Sequence, residues 1–156
     1  MKLVPDSFQV PEKLDQPEFV IRKLMFDDAK LDYDAVMSSI DIIKKTRGGD
    51  WPTPALTFKD DQIDLAWHQR EFENGTSFAY TVMSPDEIEC LGCLYFYPPG
   101  FRNESSSSAD ADVSFWVTQK AFDRGLYTTL YKALDGWIRS TWPFKQIVYT
   151  NKQLPE

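Results

Sequence analysis

The sequence is poor in the residues that usually announce chemistry. It has one histidine, His68, two cysteines, Cys90 and Cys93, and no apolar run approaching a membrane span. A spanning helix needs about 20 consecutive apolar residues, so no membrane partner is expected. "MKLVPDSFQV" lacks the apolar middle of a signal peptide, and the chain reads as cytoplasmic. Basic residues are also short: 17 Lys and Arg stand against 24 Asp and Glu, a formal charge of −7. Without a basic footprint to neutralise phosphates, no nucleic-acid partner is expected either. The acidic balance instead tolerates or attracts cationic substrates. What is plentiful is apolar and aromatic, 42% and 15% of 156 residues, enough for one domain with one packed core.

The two cysteines spell C-x-x-C within "ECLGCLYFYP". A thioredoxin-like pair opens a helix, whereas Leu91, Leu94, Tyr95, Phe96 and Tyr97 read as a buried strand. In a regular strand, residues three apart face opposite sides and lie about 10 Å apart, too far for a disulfide. A zinc site needs further ligands, and the one histidine falls in a different predicted element. The expectation is core thiols in a reducing compartment and no metal.

Residues 1–17 hold Pro5, Pro11 and Pro17 and read as an extended N-terminal segment ahead of a single domain over 18–156. "EFVIRKL" (18–24) is a strand. "MFDDAKLDYDAVMSSIDIIKK" reads as a helix capped at Asp27 or Asp28, with its acidic residues on a solvated face. "TRGGDWPTP" (46–54) is a loop. Thr57 with Asp60 approximates a capping box for a helix to about Glu73, where Phe58, Leu65 and Phe72 form a stripe and Gly75 suits the closing cap. "SFAYTVMS" and "IECLGCLYFYP" flank the acidic turn "PDE" and suggest a hairpin. "PGFRNESSSS" is a polar loop with a mobile serine run, and "ADADVSFWV" (109–117) is the next strand. "RGLYTTLYKALDGWIRSTW" carries Leu126, Leu130, Leu134, Trp137 and Ile138 on one helical face, and "KQIVYTN" (145–151) is a last strand.

A strand–helix–strand unit needs a right-handed crossover, which makes its two strands parallel. The rest is antiparallel. The fold class is therefore α+β, a mixed but mostly antiparallel sheet flanked by helices. In such a sheet the start of the crossover helix is a favoured ligand position. That place is "FDRGLYTTL", residues 122–130.

Here the chain resembles the GNAT superfamily of acyl-CoA-dependent N-acetyltransferases, nearest its ribosomal-protein N-terminal acetyltransferase branch. "ADVSFWV" is similar to the strand that precedes the pyrophosphate loop, usually Gln/Arg-x-x-Gly-x-Gly/Ala. Phe122 falls on the Gln/Arg position, Gly125 on the first glycine and Tyr127 on the last, so the loop is degenerate. The resemblance implies acetyl-CoA as co-substrate and a primary-amine acceptor. It places the pantetheine arm on the main chain of Phe115, Trp116 and Val117. The pyrophosphate would lie on the turn formed by Phe122, Asp123, Arg124, Gly125, Leu126, Tyr127 and Thr128. Unpaired helix-start amides bind anions without side-chain help, and Arg124 adds a charge. Asp112 falls on the position of the family's strand glutamate and shares a face with Asp110, Ser114 and Trp116, a candidate base for the amine.

Family members usually continue past this last strand into a segment that supplies a tyrosine acid. This chain reads "TNKQLPE" there, which offers none. The flank of the last strand calls for cover by the N-terminal segment or by a second subunit in a homodimer. His68 reads as a partly exposed helix residue, and Trp51 as a candidate wall of the acceptor site. Two function classes follow: an N-acetyltransferase, or a catalytically impaired relative that senses CoA or binds proteins.

Overall fold

The computed structural model describes all 156 residues. Its strands are β1 (Lys13–Asp15), β2 (Val20–Lys23), β3 (Phe78–Met83), β4 (Cys90–Tyr97), β5 (Ala111–Val117) and β6 (Ile147–Tyr149). Its helices are α1 (Ala29–Met37), α2 (Ile40–Thr46), α3 (Phe58–Asn74), α4 (Gln119–Asp123) and α5 (Leu126–Thr141). The strands lie side by side in chain order as one six-stranded sheet. Neighbours are antiparallel except β5 and β6, which the α5 crossover makes parallel.

Alternation along the strands divides the core between two faces. Val113, Phe115 and Val117 face α5, which presents Leu126, Leu130, Leu134, Trp137 and Ile138. Cys93, Tyr95 and Trp116 face the other way, toward Val36 of α1, Ile43 of α2 and Leu65 of α3. Burying each such side chain contributes about 2 kcal/mol, so packing rather than intrinsic propensity holds these helices in place. The two faces thus carry separate jobs. The α5 face positions the turn at residues 122–128, and the α1–α3 face encloses a polar cavity.

Several expectations hold in detail. Thr57 and Asp60 form a reciprocal capping box at the start of α3, and Gly75 closes that helix in the left-handed conformation. Others are corrected. The stretch 25–45 is not one helix: a 3-10 turn over Phe26–Asp28 leads into α1, and Ser38–Ser39 breaks α1 from α2. There the Ser38 hydroxyl donates back to the Ala35 carbonyl, the local bonding by which serine competes with helix continuation. The N-terminal segment supplies β1, which pairs with β2 at the sheet edge opposite β6. It therefore does not cover the last strand. The serine run is pinned, with Ser106 fully buried in a 3-10 turn. No helix is long and apolar enough to cross a membrane.

Candidate functional site

Thr118 caps α4, its hydroxyl accepting from the Ala121 N–H at 3.2 Å, and the chain then reverses at Gly125 with φ 84°. A side chain is strained there, while the space beside it is open: a Cβ at Gly125 would meet nothing within 4 Å. The Gly125 N–H bonds the Phe122 carbonyl, and the first helix bond is Thr129 N–H to Gly125 at 3.4 Å. Between them the N–H groups of Leu126, Tyr127 and Thr128 have no acceptor in the protein. They form the amide end of a sixteen-residue helix, where backbone partial charges favour an anion. Asp123, Arg124 and Gly125 are exposed at the turn, Phe122 and Thr128 are half-buried, and Leu126 is buried. A cavity of about 190 Å³ adjoins the turn, lined by Thr46, Phe122, Thr128 and residues 153–155 among others.

Tyr127 does not crowd this turn. Its ring points inward, centred 5.0 Å from the ring of Phe115 and 5.6 Å from that of Phe122. Its hydroxyl donates to the Gln153 carbonyl at 2.5 Å and accepts from Asn151 Nδ2 at 2.8 Å. Beyond Tyr149 the strands part, and the Asn151 side chain fills the gap. Its Oδ1 accepts from Phe115 N–H at 3.1 Å and its Nδ2 donates to the Phe115 carbonyl at 2.9 Å. Lys152 and Gln153 then donate their N–H groups to Arg47 and Thr46 at the end of α2. Residues 151–153 thereby cross from β6 to α2, over the main chain of β5.

On the other side of this crossing lies a second cavity, also about 190 Å³, lined by Asp32, Arg47, Trp51, Asp61, Asp64, Leu65, His68, Tyr95 and Tyr97 with Leu24. Its polar groups are unusually deep. Asp61 is 1% exposed and neither carboxylate oxygen has a hydrogen-bond partner. Burial, followed by its contact with Asp32, pushes Asp61 up to about 9, and burial pushes Asp32 up to about 7. Burial, then the positive field of Arg47, pushes His68 down to about 4, so the ring is neutral at neutral pH. Arg47 is buried between the faces of Tyr95 and Trp51, 4.4 and 5.9 Å from their centres, and donates from Nε to Ser114 at 3.2 Å.

Two readings change here, those of Asp32 and of the cysteine pair. His68 is partly exposed on its helix as expected, but its ring lies 5.6 Å from that of Tyr95 and lines the cavity. Asp32 is not on a solvated face but 4% exposed. Cys90 and Cys93 share one face, because the β3–β4 register slips between Val82 and Met83, skipping Leu91. Their sulfurs and the Asp32 carboxylate come within 4.8 Å of one another. Trp51 does wall the cavity, 6.3 Å from Trp116, whose indole N–H bonds Tyr95 Oη.

Asp112 is fully buried and outside the cavity lining. It accepts from the Arg102 N–H, the Ser106 hydroxyl and the Thr150 hydroxyl, at 3.0, 3.0 and 2.7 Å. It ties the 99–108 loop to the end of β6. Asp110 does similar work at the other end of that strand, accepting from Lys145 and Gln146 N–H. Sequence reasoning missed Arg47, Asp61, Tyr95 and Asn151. Only Asp61 carried a signal: a carboxylate one turn before Leu65 on the buried stripe of α3.

No family model matches the chain, and no curated protein matches it by sequence. Solved structures do match in fold. A ribosomal-protein-S5-alanine acetyltransferase from Vibrio fischeri superposes with a TM-score of 0.62 at 11% identity, over 81% of this chain and 66% of that one. The coenzyme A complex of RimL, a ribosomal L7/L12 alpha-N-protein acetyltransferase, gives 0.61 at 14%, over 82% and 68%. A microcin C7 self-immunity acetyltransferase in complex with acetyl-CoA and AMP gives 0.60 at 15%, over 86% and 71%. The chain spans about two thirds of the length of these proteins. Its fold is that of the GNAT acetyltransferases.

Proposed function

We propose that the protein is an N-acetyltransferase that moves an acetyl group from acetyl-CoA to a primary amine. The observation that carries this reading is the open turn at Gly125, with the N–H groups of Leu126, Tyr127 and Thr128 unpaired at the parting of β5 and β6. That turn suits a pyrophosphate, with Arg124 beside it for a charge-assisted bond. Alternation in the ladder turns the main-chain groups of Phe115 and Val117 toward β6, where pantetheine amides could bond them. The Trp116 side chain points to the other face and forms part of the wall behind the second cavity.

In this reading the acceptor amine enters through the cavity of Arg47, Trp51, Asp64 and His68. An amine must be uncharged to attack a thioester, and the His68 ring on this lining, neutral at neutral pH, adds no positive charge against it. Asp112, held by three donors, positions the 99–108 loop. The fold likeness to acetyltransferases solved with coenzyme A and acetyl-CoA supports the choice of cofactor.

A second reading is favoured by one observation: the Asn151 amide holds the Phe115 main-chain groups that pantetheine would use. On that reading the protein is a non-catalytic descendant of the fold. Titration calorimetry with acetyl-CoA, followed by acetyl transfer to a panel of primary amines, separates the two. Saturable binding with turnover is expected. Absence of heat at millimolar acetyl-CoA would establish the second reading, and binding without turnover would make the protein a CoA sensor.

A further inference from the structure

Behind the acceptor cavity lies a group of side chains that acetyl transfer does not use. The slip in register at Leu91 turns Cys90 and Cys93 to the same side of β4, and α1 brings Asp32 over them. Cys93 Sγ lies 3.3 Å from Asp32 Oδ1, and the three ligand atoms are mutually within 4.8 Å. All three residues are buried, at 3%, 0% and 4% exposure. Asp61 of α3 adjoins Asp32, 1% exposed, with both carboxylate oxygens unpartnered. No lysine or arginine bonds either carboxylate; Arg47, the one cation in the cavity, spends its Nε–H on Ser114.

Buried carboxylates without a cation and two adjacent thiols are costly as they stand. Each loses hydration, and the group lacks a positive centre. We propose that Cys90, Cys93 and Asp32 form a buried site for a thiophilic divalent cation such as Zn²⁺, with Asp61 at the fourth position. The geometry is close to what the ion requires. Bonds of about 2.3 Å to sulfur and about 2.0 Å to oxygen at tetrahedral angles set ligand atoms roughly 3.5–3.8 Å apart. Side-chain shifts of about 1 Å bring the two sulfurs and the Asp32 oxygen to that value, and Asp61, outside that close group but in contact with Asp32, has to turn in further. Two sulfurs and two oxygens suit Zn²⁺ over Mg²⁺ or Ca²⁺, which take oxygen ligands only.

Binding releases the two thiol protons and whatever protons the buried Asp32–Asp61 pair holds, and leaves the metal four-coordinate and closed, as in structural zinc sites. The ligands come from α1, α3 and β4, so the ion would staple both helices to the sheet beneath the acceptor cavity. Asp32 and Asp61 both line that cavity, which gives the ion a path in.

The test uses the reduced full-length protein. It is loaded with Zn²⁺, passed through a desalting column and assayed for metal; Co²⁺ loading is followed through its thiolate-to-metal charge-transfer band in the near ultraviolet. One equivalent of Zn²⁺, a cobalt band and a raised melting midpoint are expected. Cys90→Ser and Cys93→Ser should each abolish the band, and Asp32→Asn should weaken retention about tenfold or more. The proposal falls if the wild-type protein retains no zinc and gives no band while both thiols stay reduced. It also falls if the Cys90→Ser, Cys93→Ser double variant retains zinc equally. Should the variants not fold, the wild-type cobalt spectrum decides alone.

Discussion

At the scale of the residue, the instructive positions are those whose chemistry depends on neighbours far away in sequence. His68 looks like one more polar residue in "AWHQREFEN", yet it sits against Tyr95 and Tyr97 of β4, with Arg47 across the cavity and Glu71 at 3.9 Å. Its helix was legible from the Thr57–Asp60 box, but burial depends on which strand the helix packs against. The consequence is measurable. Burial lowers its folded pKa to about 4 from 6.5, so the unfolded chain takes up a proton first as pH falls. His68 therefore contributes stability that is full above pH 6.5 and lost between 6.5 and about 4. With the side chain 20% exposed, the loss is about 2–3 kcal/mol. Asp32 and Asp61, raised by burial, act in the opposite direction over the same range. The prediction is accordingly a difference: from pH 7 to pH 4.5, urea-derived stability of the wild type should fall relative to His68→Gln. Parallel curves would show that the ring is hydrated in the folded protein.

At the scale of the element, features written in adjacent residues were legible and those written across the sheet were not. The cap and stop of α3 follow from Thr57, Asp60 and Gly75, and the hairpin from "PDE". The break at Ser38–Ser39 is less visible, because serine is tolerated in helices and only the competing hydroxyl bonds end α1. The bulge at Leu91 is invisible, since a register slip is a property of two strands. It puts both thiols of C-x-x-C on one face, where a regular strand would part them. Just after it, Gly92 stands where β4 meets the last residue of β5, and a Cβ there would run into the Trp116 carbonyl oxygen. Backbone cannot yield as a flexible side chain can. Gly92→Ala should therefore cost about 3 kcal/mol or more in a urea titration. Gly136→Ala is the control: it lies on an exposed stretch of α5 with nothing within 4 Å of a new Cβ, and should gain about 0.5–1 kcal/mol. A neutral Gly92→Ala would mean that β4 and β5 separate at the bulge without cost.

At the scale of the whole molecule, the proposed site divides into a turn of unpaired amides and a polar cavity, with residues 151–153 lying between them. The parallel last pair and the position of the turn followed from the single strand–helix–strand crossover. The division did not, because Asn151 acts through Phe115, thirty-six positions away. The crossing is held by the two Asn151–Phe115 bonds, the Asn151 and Gln153 bonds to Tyr127, and the N–H groups of Lys152 and Gln153 on α2. Each contributes about 1 kcal/mol net, and the pantetheine amides would replace only those on Phe115. If a coenzyme-competent form requires Asn151 to leave, apparent affinity is lowered by the fraction of molecules in which it has left. Asn151→Ala deletes the two bonds to Phe115 and the one to Tyr127 while leaving the amides of Leu126–Thr128 untouched. The variant should bind acetyl-CoA about tenfold more tightly than wild type by calorimetry, at a cost of about 3 kcal/mol in stability. Weaker binding would assign Asn151 the opposite part, a ligand that keeps β5 and β6 parted for the coenzyme.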